Sequence, residues 1–333
     1  MRKILLTTTA LVALGGVSAA SAMNISGSYG FEYTNSTNTG GSADAAKVSG
    51  DDFSSDGLIT FSDSTTTDAG LTFGGRMTLN AAGAIEDQQL DIAGDFGYIM
   101  MGAQDGVVDG MDGFMQGAAL VENGATTTNA NAVNLNTSPM VADNPGTEKI
   151  GFRTNVISGF QAAVSYEDAG TTATANNDVT AWIVTYDFGV AKIGYASSNT
   201  VASGDDGSNQ TNTHYGIGTT LAGLTVGLGF GAEKLAGANG AVDQRKVDTR
   251  DVGLSYALDG GIGLYAQIVS SEDKTGANAG DKLSATTFGL SYAVAPGVSA
   301  LVETASADYT DATAGSANSD GRTASAAKLT VSF

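Results

Sequence analysis

Large apolar residues alternate with small or polar residues along much of this chain, and the pattern is clearest close to the C-terminal end. Within residues 287–294 the large residues are Phe288, Leu290, Tyr292 and Val294, and the residues between them are small or polar. A period of two places alternate side chains on opposite faces of a β-strand. The pattern recurs about sixteen times after residue 22, which predicts an all-β protein.

The composition of the two strand faces indicates where these strands lie. A water-soluble β-sandwich or repetitive adhesin also alternates, but it buries its large residues and presents charged ones to water. Here the small face carries Gly, Ser, Thr and Ala, and Lys and Glu, which guard exposed sheet edges, are scarce within the strands. We therefore predict a transmembrane antiparallel β-barrel of about 16 strands, with the soluble β protein as the less favoured alternative.

The N-terminal residues read as a secretory signal peptide. Arg2 and Lys3 form a basic region, residues 4–17 are apolar, and Ala20-Ser21-Ala22 has the small-x-small form of a cleavage site. After residue 22 no apolar run reaches the roughly 18–20 residues of a spanning helix. We predict a signal peptide at 1–22 and a single barrel domain at 23–333.

Charge and cysteine content narrow the function classes. The net charge of −20 becomes about −22 once Arg2 and Lys3 leave with the signal peptide, which argues against a nucleic-acid partner, since such a partner needs basic surfaces. With no cysteine, disulfides and thiolate metal sites are excluded. The acidity indicates either solubility or a bias toward cations, and composition leaves both open.

The connections predict the orientation of the barrel. Short turns with Gly, Asp or Pro, such as 222–223 and 259–261, alternate with longer polar segments such as 197–210 and 308–321. Short periplasmic turns and long outer loops are typical of outer-membrane barrels. Residues 105–146 break the alternation altogether. We predict that this stretch is a long constriction loop, the third outer loop, folded into the barrel.

Four segments carry a resemblance to a known family. They are Asn24-Ile25-Ser26-Gly27, residues 68–74, Gly94-Asp95-Phe96-Gly97 with Met101-Gly102, and Lys328-Leu329-Thr330-Val331-Ser332-Phe333. With these segments the chain resembles the Gram-negative general-diffusion porins, of the alphaproteobacterial (Rhodobacter-like) kind.

The resemblance implies further properties. It implies a homotrimer, an inward third loop whose carboxylates face basic wall residues, and pairing of the first and last strands that brings Met23 near Phe333. It also implies that Leu329, Val331 and Phe333 form the signal by which the barrel assembly machinery recognises the chain for insertion into the bilayer.

Strand parity predicts which basic residues line the lumen. Leu71, Phe73 and Met77 face lipid, so Arg76 points inward, and the same reasoning places Lys149, Arg153, Lys192 and Lys328 inside. The loop offers Asp105, Asp109, Asp112 and Glu122 as acidic candidates. Our hypothesis is that Arg76 with Lys149 or Arg153 faces Asp109 and Asp112 across the pore.

Catalytic and metal-binding signals are weak. His214 is the only histidine and lacks a neighbouring Asp or Ser arrangement, so we predict that it lies near a strand end, in water, and that the protein is not an enzyme. We predict no cofactor, although Asp51-Asp52 and Asp205-Asp206-Gly207 offer oxygen ligands for a loop-bound calcium ion.

The predicted function is an outer-membrane porin, a passive channel for small hydrophilic solutes and ions with a mild preference for cations. The alternative is a surface-exposed structural or adhesive barrel in which the outer loops bind partners.

Overall fold

The structure is a computed structural model that describes residues 23–38, 50–103, 105–108, 111, 148–168, 177–202, 209–236, 245–276, 279–312 and 320–333. These residues form sixteen β-strands. The strands are β1 Asn24–Asn38, β2 Gly50–Thr66, β3 Thr72–Asn80, β4 Ile85–Gly94, β5 Gly97–Ala103, β6 Glu148–Arg153, β7 Phe160–Glu167, β8 Asn177–Asp187, β9 Lys192–Ala202, β10 Asn209–Leu221, β11 Leu224–Leu235, β12 Arg245–Leu258, β13 Ile262–Asp273, β14 Lys282–Ala295, β15 Val298–Thr310 and β16 Asp320–Ser332. Within the described residues, no helix has the length and apolar character needed to cross a membrane.

Each strand pairs in antiparallel fashion with its neighbours in sequence, and β1 pairs with β16, so the sheet closes into a barrel. The prediction of about sixteen strands is confirmed. At the closure the Gly27 N–H donates to the Phe333 carbonyl, and the Phe333 N–H donates to the Gly27 carbonyl, both at 3.0 Å. The chain therefore ends opposite Gly27, and Met23 lies beyond this pair on the β1 side.

The distribution of side chains in the barrel is the reverse of that in a soluble protein, because large apolar residues lie on the outside. Large apolar residues such as Leu90, Trp182, Phe288 and Leu290 are exposed on the outer surface, with Leu290 at 41%. Residues at the alternate positions face the interior, and many of them are polar. An apolar exterior of this kind suits hydrocarbon, and the closed sheet leaves no unpaired strand edge to face the lipid.

The barrel wall is lower on one side. Strands β3–β7, here called the low wall, have six to ten residues each, whereas β10–β16, the tall wall, have twelve to fourteen. The connection between β3 and β4 is a tight turn, although it lies on the rim with the longer segments. The Asn80 Oδ1 accepts hydrogen bonds from the Ala82 and Ala84 N–H groups at 3.1 Å each, which closes this turn locally.

Candidate pore-lining site

The three basic residues predicted to line the constriction all lie on the inner face of the low wall. Arg76 is opposite Gln89, Gln89 is opposite Gly102, and Gly102 is opposite Lys149, so Arg76 and Lys149 share one cross-strand row. Arg153 lies four residues further along β6, nearer the rim of short turns. Lys149 is 6% exposed, whereas Arg76 is exposed. The inward orientation expected from strand parity is thus present in the structure.

An acidic and aromatic cluster lies between these cations, and the sequence analysis did not identify it. The Tyr98 hydroxyl donates to Asp91 Oδ1 at 2.6 Å, and the Gln89 amide contacts both groups. The Arg153 guanidinium carbon lies 4.9 Å from the centroid of the Tyr98 ring, a cation–π geometry. Asp91 could have been found by parity, since its neighbours Leu90 and Ile92 face outward.

The start of the long loop lies inside the barrel. Val107, Val108 and Met111 are buried in one apolar cluster with inward residues of β5 and β7–β9. The inward wall residues of this cluster are Met100, Ala163, Ala181, Ile183 and Ala196. Together with the three loop residues they form what we call the inner apolar cluster. The Val107 side chain lies close to the backbone of β6, because a Cβ atom added to Gly151 would lie 2.8 Å from both methyl groups of Val107. The described part of the loop is therefore packed on the inner wall.

The acidic side of the predicted constriction is described only in part. Asp105 is exposed at the start of the loop. Asp109, Asp112 and Glu122 lie outside the described residues, as does most of the predicted constriction loop at 105–146. The proposed pairing of these carboxylates with Arg76, Lys149 or Arg153 stays a prediction.

The inner face of the tall wall carries hydrogen-bonded polar side chains beside small clusters of buried apolar residues. The Tyr265 hydroxyl donates to Glu303 at 2.7 Å, and the Gln267 amide donates to Asp251 at 2.6 Å. Nearby, Lys328 pairs with Asp56 at 3.2 Å across the closure of the barrel. Lysine and carboxylate side chains therefore both line this wall.

His214 is not where the sequence analysis placed it. The prediction of a wet position near a strand end is wrong, because His214 is 0% exposed. Its neighbours across the sheet are Ala196 on β9 and Gly231 on β11. These small residues leave room for the imidazole on the inner wall, and the alternation of β10, with Tyr215 outward, directs it there.

The candidate calcium ligands form no cluster in the part of the chain that the structure describes. No group of three or more His, Asp or Glu residues is arranged there to hold a metal ion. Asp51 Oδ1 accepts a hydrogen bond from the Asn35 amide, and Asp205-Asp206 lie outside the described residues.

The segment predicted to act as the insertion signal forms the end of β16. Leu329, Val331 and Phe333 are all exposed on the outer face of the barrel. The backbone of Leu329 and Val331 pairs with both β1 and β15, and Phe333 pairs with Gly27 of β1, so the last strand has a neighbour on each side.

Comparison with known families agrees with this architecture. A profile of the family described as Gram-negative porin matches residues 7–312. The chain belongs to the Gram-negative porin family. As a porin of this family, with a closed barrel that has an apolar exterior, it is an outer-membrane protein.

Solved porin structures share the fold at low sequence identity. An anion-selective porin from Comamonas acidovorans is 14% identical, with a TM-score of 0.70 over 94% of this chain and 100% of that chain. OmpF of Salmonella typhi, in complex with daunomycin, is 15% identical, with a TM-score of 0.70 over 93% and 97%. A trimer form of Vibrio cholerae OmpT is 12% identical, with a TM-score of 0.63 over 94% and 100%. The comparison with curated protein sequences finds no match.

Proposed function

We propose that this porin is a passive diffusion channel, and not an enzyme, for small hydrophilic solutes and ions. The observation that carries the proposal is a closed barrel of sixteen strands with an apolar exterior and charged inner-wall side chains on both walls. Barrels of sixteen to eighteen strands are wide enough for an aqueous channel, whereas eight strands are filled by side chains. The four sequence segments that carry the resemblance support an origin among alphaproteobacterial porins.

We propose a mild preference for cations. The inner face carries Glu32, Asp56, Asp91, Asp251 and Glu303, and the whole chain is strongly acidic. The similar porin from Comamonas acidovorans is anion-selective, so the barrel architecture does not set the sign of selectivity. The sign depends on which charges face the narrowest part of the pore.

The narrowest part would lie where residues 105–146 meet the low wall. The packing of Val107, Val108 and Met111 on the inner wall supports an inward course for the start of this loop. We propose that Asp105, Asp109, Asp112 and Glu122 supply the acidic side of the constriction, and that Arg76, Lys149 and Arg153 supply the basic side.

The test of the channel is single-channel current in a planar bilayer with a salt gradient. We expect ohmic steps and a reversal potential of the sign that cations give. A folded, heat-modifiable barrel that stays silent would contradict the channel and favour the structural or adhesive alternative.

The constriction is tested by Asp109→Asn combined with Asp112→Asn, which should reduce the cation preference. The matched control is Asp63→Asn combined with Asp308→Asn, because both of these carboxylates lie on the outer face of the barrel. An unchanged reversal potential in the first variant, or an equal change in the control, would contradict the assignment.

We propose that the low wall mediates a homotrimer. β6 has six residues and β5 has seven. With a rise of about 3.3 Å per residue and a tilt of about 40°, these strands span only about 15–18 Å along the barrel axis, less than the apolar band of about 25 Å. A neighbouring protomer packed against the low wall would shield this short part of the barrel from lipid. A similar porin has a trimer form. Current steps in threes and a trimeric mass in detergent are expected; a monomeric mass would contradict the proposal.

We also propose that the end of β16 is read by the barrel assembly machinery. Deleting Phe333 removes the aromatic ring and the backbone pair with Gly27 at the closure. We expect a lower yield of heat-modifiable barrel in the membrane, with unchanged export of the chain. A normal yield would exclude this role.

A further inference from the structure

A tyrosine and an arginine face each other on the inner face of the low wall. Tyr98 on β5 is directly opposite Arg153 on β6, and both side chains are half-buried. The Arg153 guanidinium carbon lies 4.9 Å from the centroid of the Tyr98 ring, within the roughly 6 Å over which an aromatic ring attracts a cation. We call these two residues the stacked pair.

The backbone on both sides of the stacked pair is held together at the rim of short turns. Gly97, directly before Tyr98, has a φ of 125°, and an added Cβ atom would collide with the Arg153 carbonyl oxygen. The Asn155 side-chain amide donates to two carbonyl groups of the turn between β4 and β5, at 3.1 and 3.0 Å. This turn is therefore bonded to the segment that follows β6, which fixes the separation of the stacked pair.

The orientation of the Tyr98 ring is fixed by its own contacts. The Tyr98 hydroxyl donates to Asp91 Oδ1 at 2.6 Å, and the Gln89 amide contacts both groups. The ring also packs against the inner apolar cluster. Rotation of the side chain would break one of these contacts, so the ring presents one face to Arg153.

The other neighbours of Arg153 offer its guanidinium little to bind. Ala163 is directly opposite Arg153 on β7, and Gly151 is the preceding inward residue of β6. Neither residue has a hydrogen-bond acceptor in its side chain. A guanidinium that left the ring would therefore extend from the wall into the lumen.

The three basic residues of the low wall differ in what faces them. Lys149 is directly opposite Glu167, and these two side chains are 6% and 3% exposed. Arg76 is exposed. A carboxylate offsets the charge of Lys149, whereas the ring of Tyr98 attracts the Arg153 guanidinium and leaves its charge in place. The ring therefore controls where this charge lies.

We propose that Tyr98 is a positioning residue, which holds the Arg153 guanidinium against the low wall and out of the open lumen. Asp91 and Gln89 fix the ring in this role. The repulsion between Arg153 and a permeating cation falls with their separation, so a guanidinium at the wall opposes cations less than one in the lumen. The proposal rests on the proposed diffusion channel, because it gives Tyr98 a part in ion selectivity.

The position of the guanidinium is tested on the folded barrel without any current. Phenylglyoxal reacts with accessible arginine side chains, and peptide mass spectrometry identifies the modified residues. In the parent we expect Arg153 to react more slowly than Arg76. Tyr98→Leu should speed the reaction of Arg153 about two- to fivefold, whereas Tyr98→Phe keeps the ring and should stay close to the parent. Equal Arg153 rates in all three proteins would overturn the proposal.

The effect on selectivity is tested by the reversal potential in a salt gradient. Tyr98→Leu should reduce the cation preference, because it releases a positive charge into the lumen. In the background of Arg153→Gln the same change should leave the reversal potential unaltered, since no guanidinium is left to release. An equal shift in both backgrounds would show that Tyr98 acts without Arg153, and would overturn the proposal.

The matched control is Tyr265→Leu, which removes an inward tyrosine that donates to a carboxylate on the tall wall. It should leave the Arg153 reaction rate as in the parent, and a rate raised as much as by Tyr98→Leu would contradict the role of the stacked pair. If Tyr98→Leu does not fold, Asp91→Ala replaces it: this change frees the Tyr98 hydroxyl, so the Arg153 rate should rise, and an unchanged rate would overturn the proposal. A folded barrel without current would contradict the channel, yet the phenylglyoxal rates would still decide where Arg153 lies.

Discussion

The inner faces of β5–β9 and of β12–β15 show two ways of filling the interior of one barrel. On β5–β9 the inner apolar cluster takes up Val107, Val108 and Met111 from the long loop. On β12–β15 the inner face combines a smaller apolar cluster, which includes Val247 and Leu283, with bonds between polar side chains, such as Tyr265 to Glu303. On β5–β9 the loop residues shield the apolar inner positions from the water that a channel would hold. The comparison teaches that, of the two apolar clusters on the inner face, the one on β5–β9 is described in contact with residues of the long loop.

The largest effect is expected at the centre of the inner apolar cluster. Ile183 is 0% exposed, so Ile183→Ala loses apolar contacts and leaves a cavity, with an expected cost of about 3 kcal/mol in the free energy of unfolding. Ile193, on the lipid-facing surface, is 40% exposed. Ile193→Ala leaves no cavity and should cost about 1 kcal/mol. Urea unfolding in lipid vesicles measures both, and equal costs would argue against a packed loop.

The second effect tests the contact between loop and wall. Gly151→Val places methyl groups where Val107 now lies, so overpacking should cost about 2 kcal/mol and displace the start of the loop. We expect a changed single-channel conductance as well as lower stability.

The control for that variant is Gly75→Val. Gly75 lies on the outer face of β3, and an added Cβ would meet only the Gln89 carbonyl oxygen, at 3.9 Å. Its conductance should equal that of the parent. If both valine variants conduct alike, Val107 does not influence the pore.

The smallest effect is expected on the polar wall. Tyr265→Phe removes the hydroxyl that donates to the buried Glu303 carboxylate, so we expect a loss of about 1–2 kcal/mol. Tyr256→Phe is the control, since Tyr256 is 40% exposed on the outer face and its hydroxyl has no partner among the described residues. Equal unfolding midpoints for the two variants would show that the Tyr265 bond contributes nothing to stability.

The sequence was sufficient to predict which side of most strands faces lipid. Arg76 and Lys149 were placed inside correctly because the orientation of a side chain depends only on its neighbours along the strand. The inner apolar cluster was missed although a signal existed. Ile99-Met100-Met101 and Trp182-Ile183-Val184 are apolar on both faces, which indicates strands covered on both sides.

The position of His214 and the bonds of Asp91 could not be predicted in the same way. His214 is buried between strands β9 and β11, and the hydrogen bond of Asp91 comes from Tyr98 on another strand. Both depend on which residues the register brings opposite each other. Register is set by the turns and by pairing along whole strands, so a local pattern does not reveal it.

The sequence by itself determined that this protein is a barrel of sixteen strands with an apolar exterior. Each strand must present an apolar face to the hydrocarbon of the bilayer, so each strand carries its own alternating pattern in the sequence. Only the tertiary structure decided that Arg76 and Lys149 share one row and that the loop begins on the wall of β5–β9. These arrangements join residues that are far apart in the chain. They depend on register and closure, which are properties of the whole sheet.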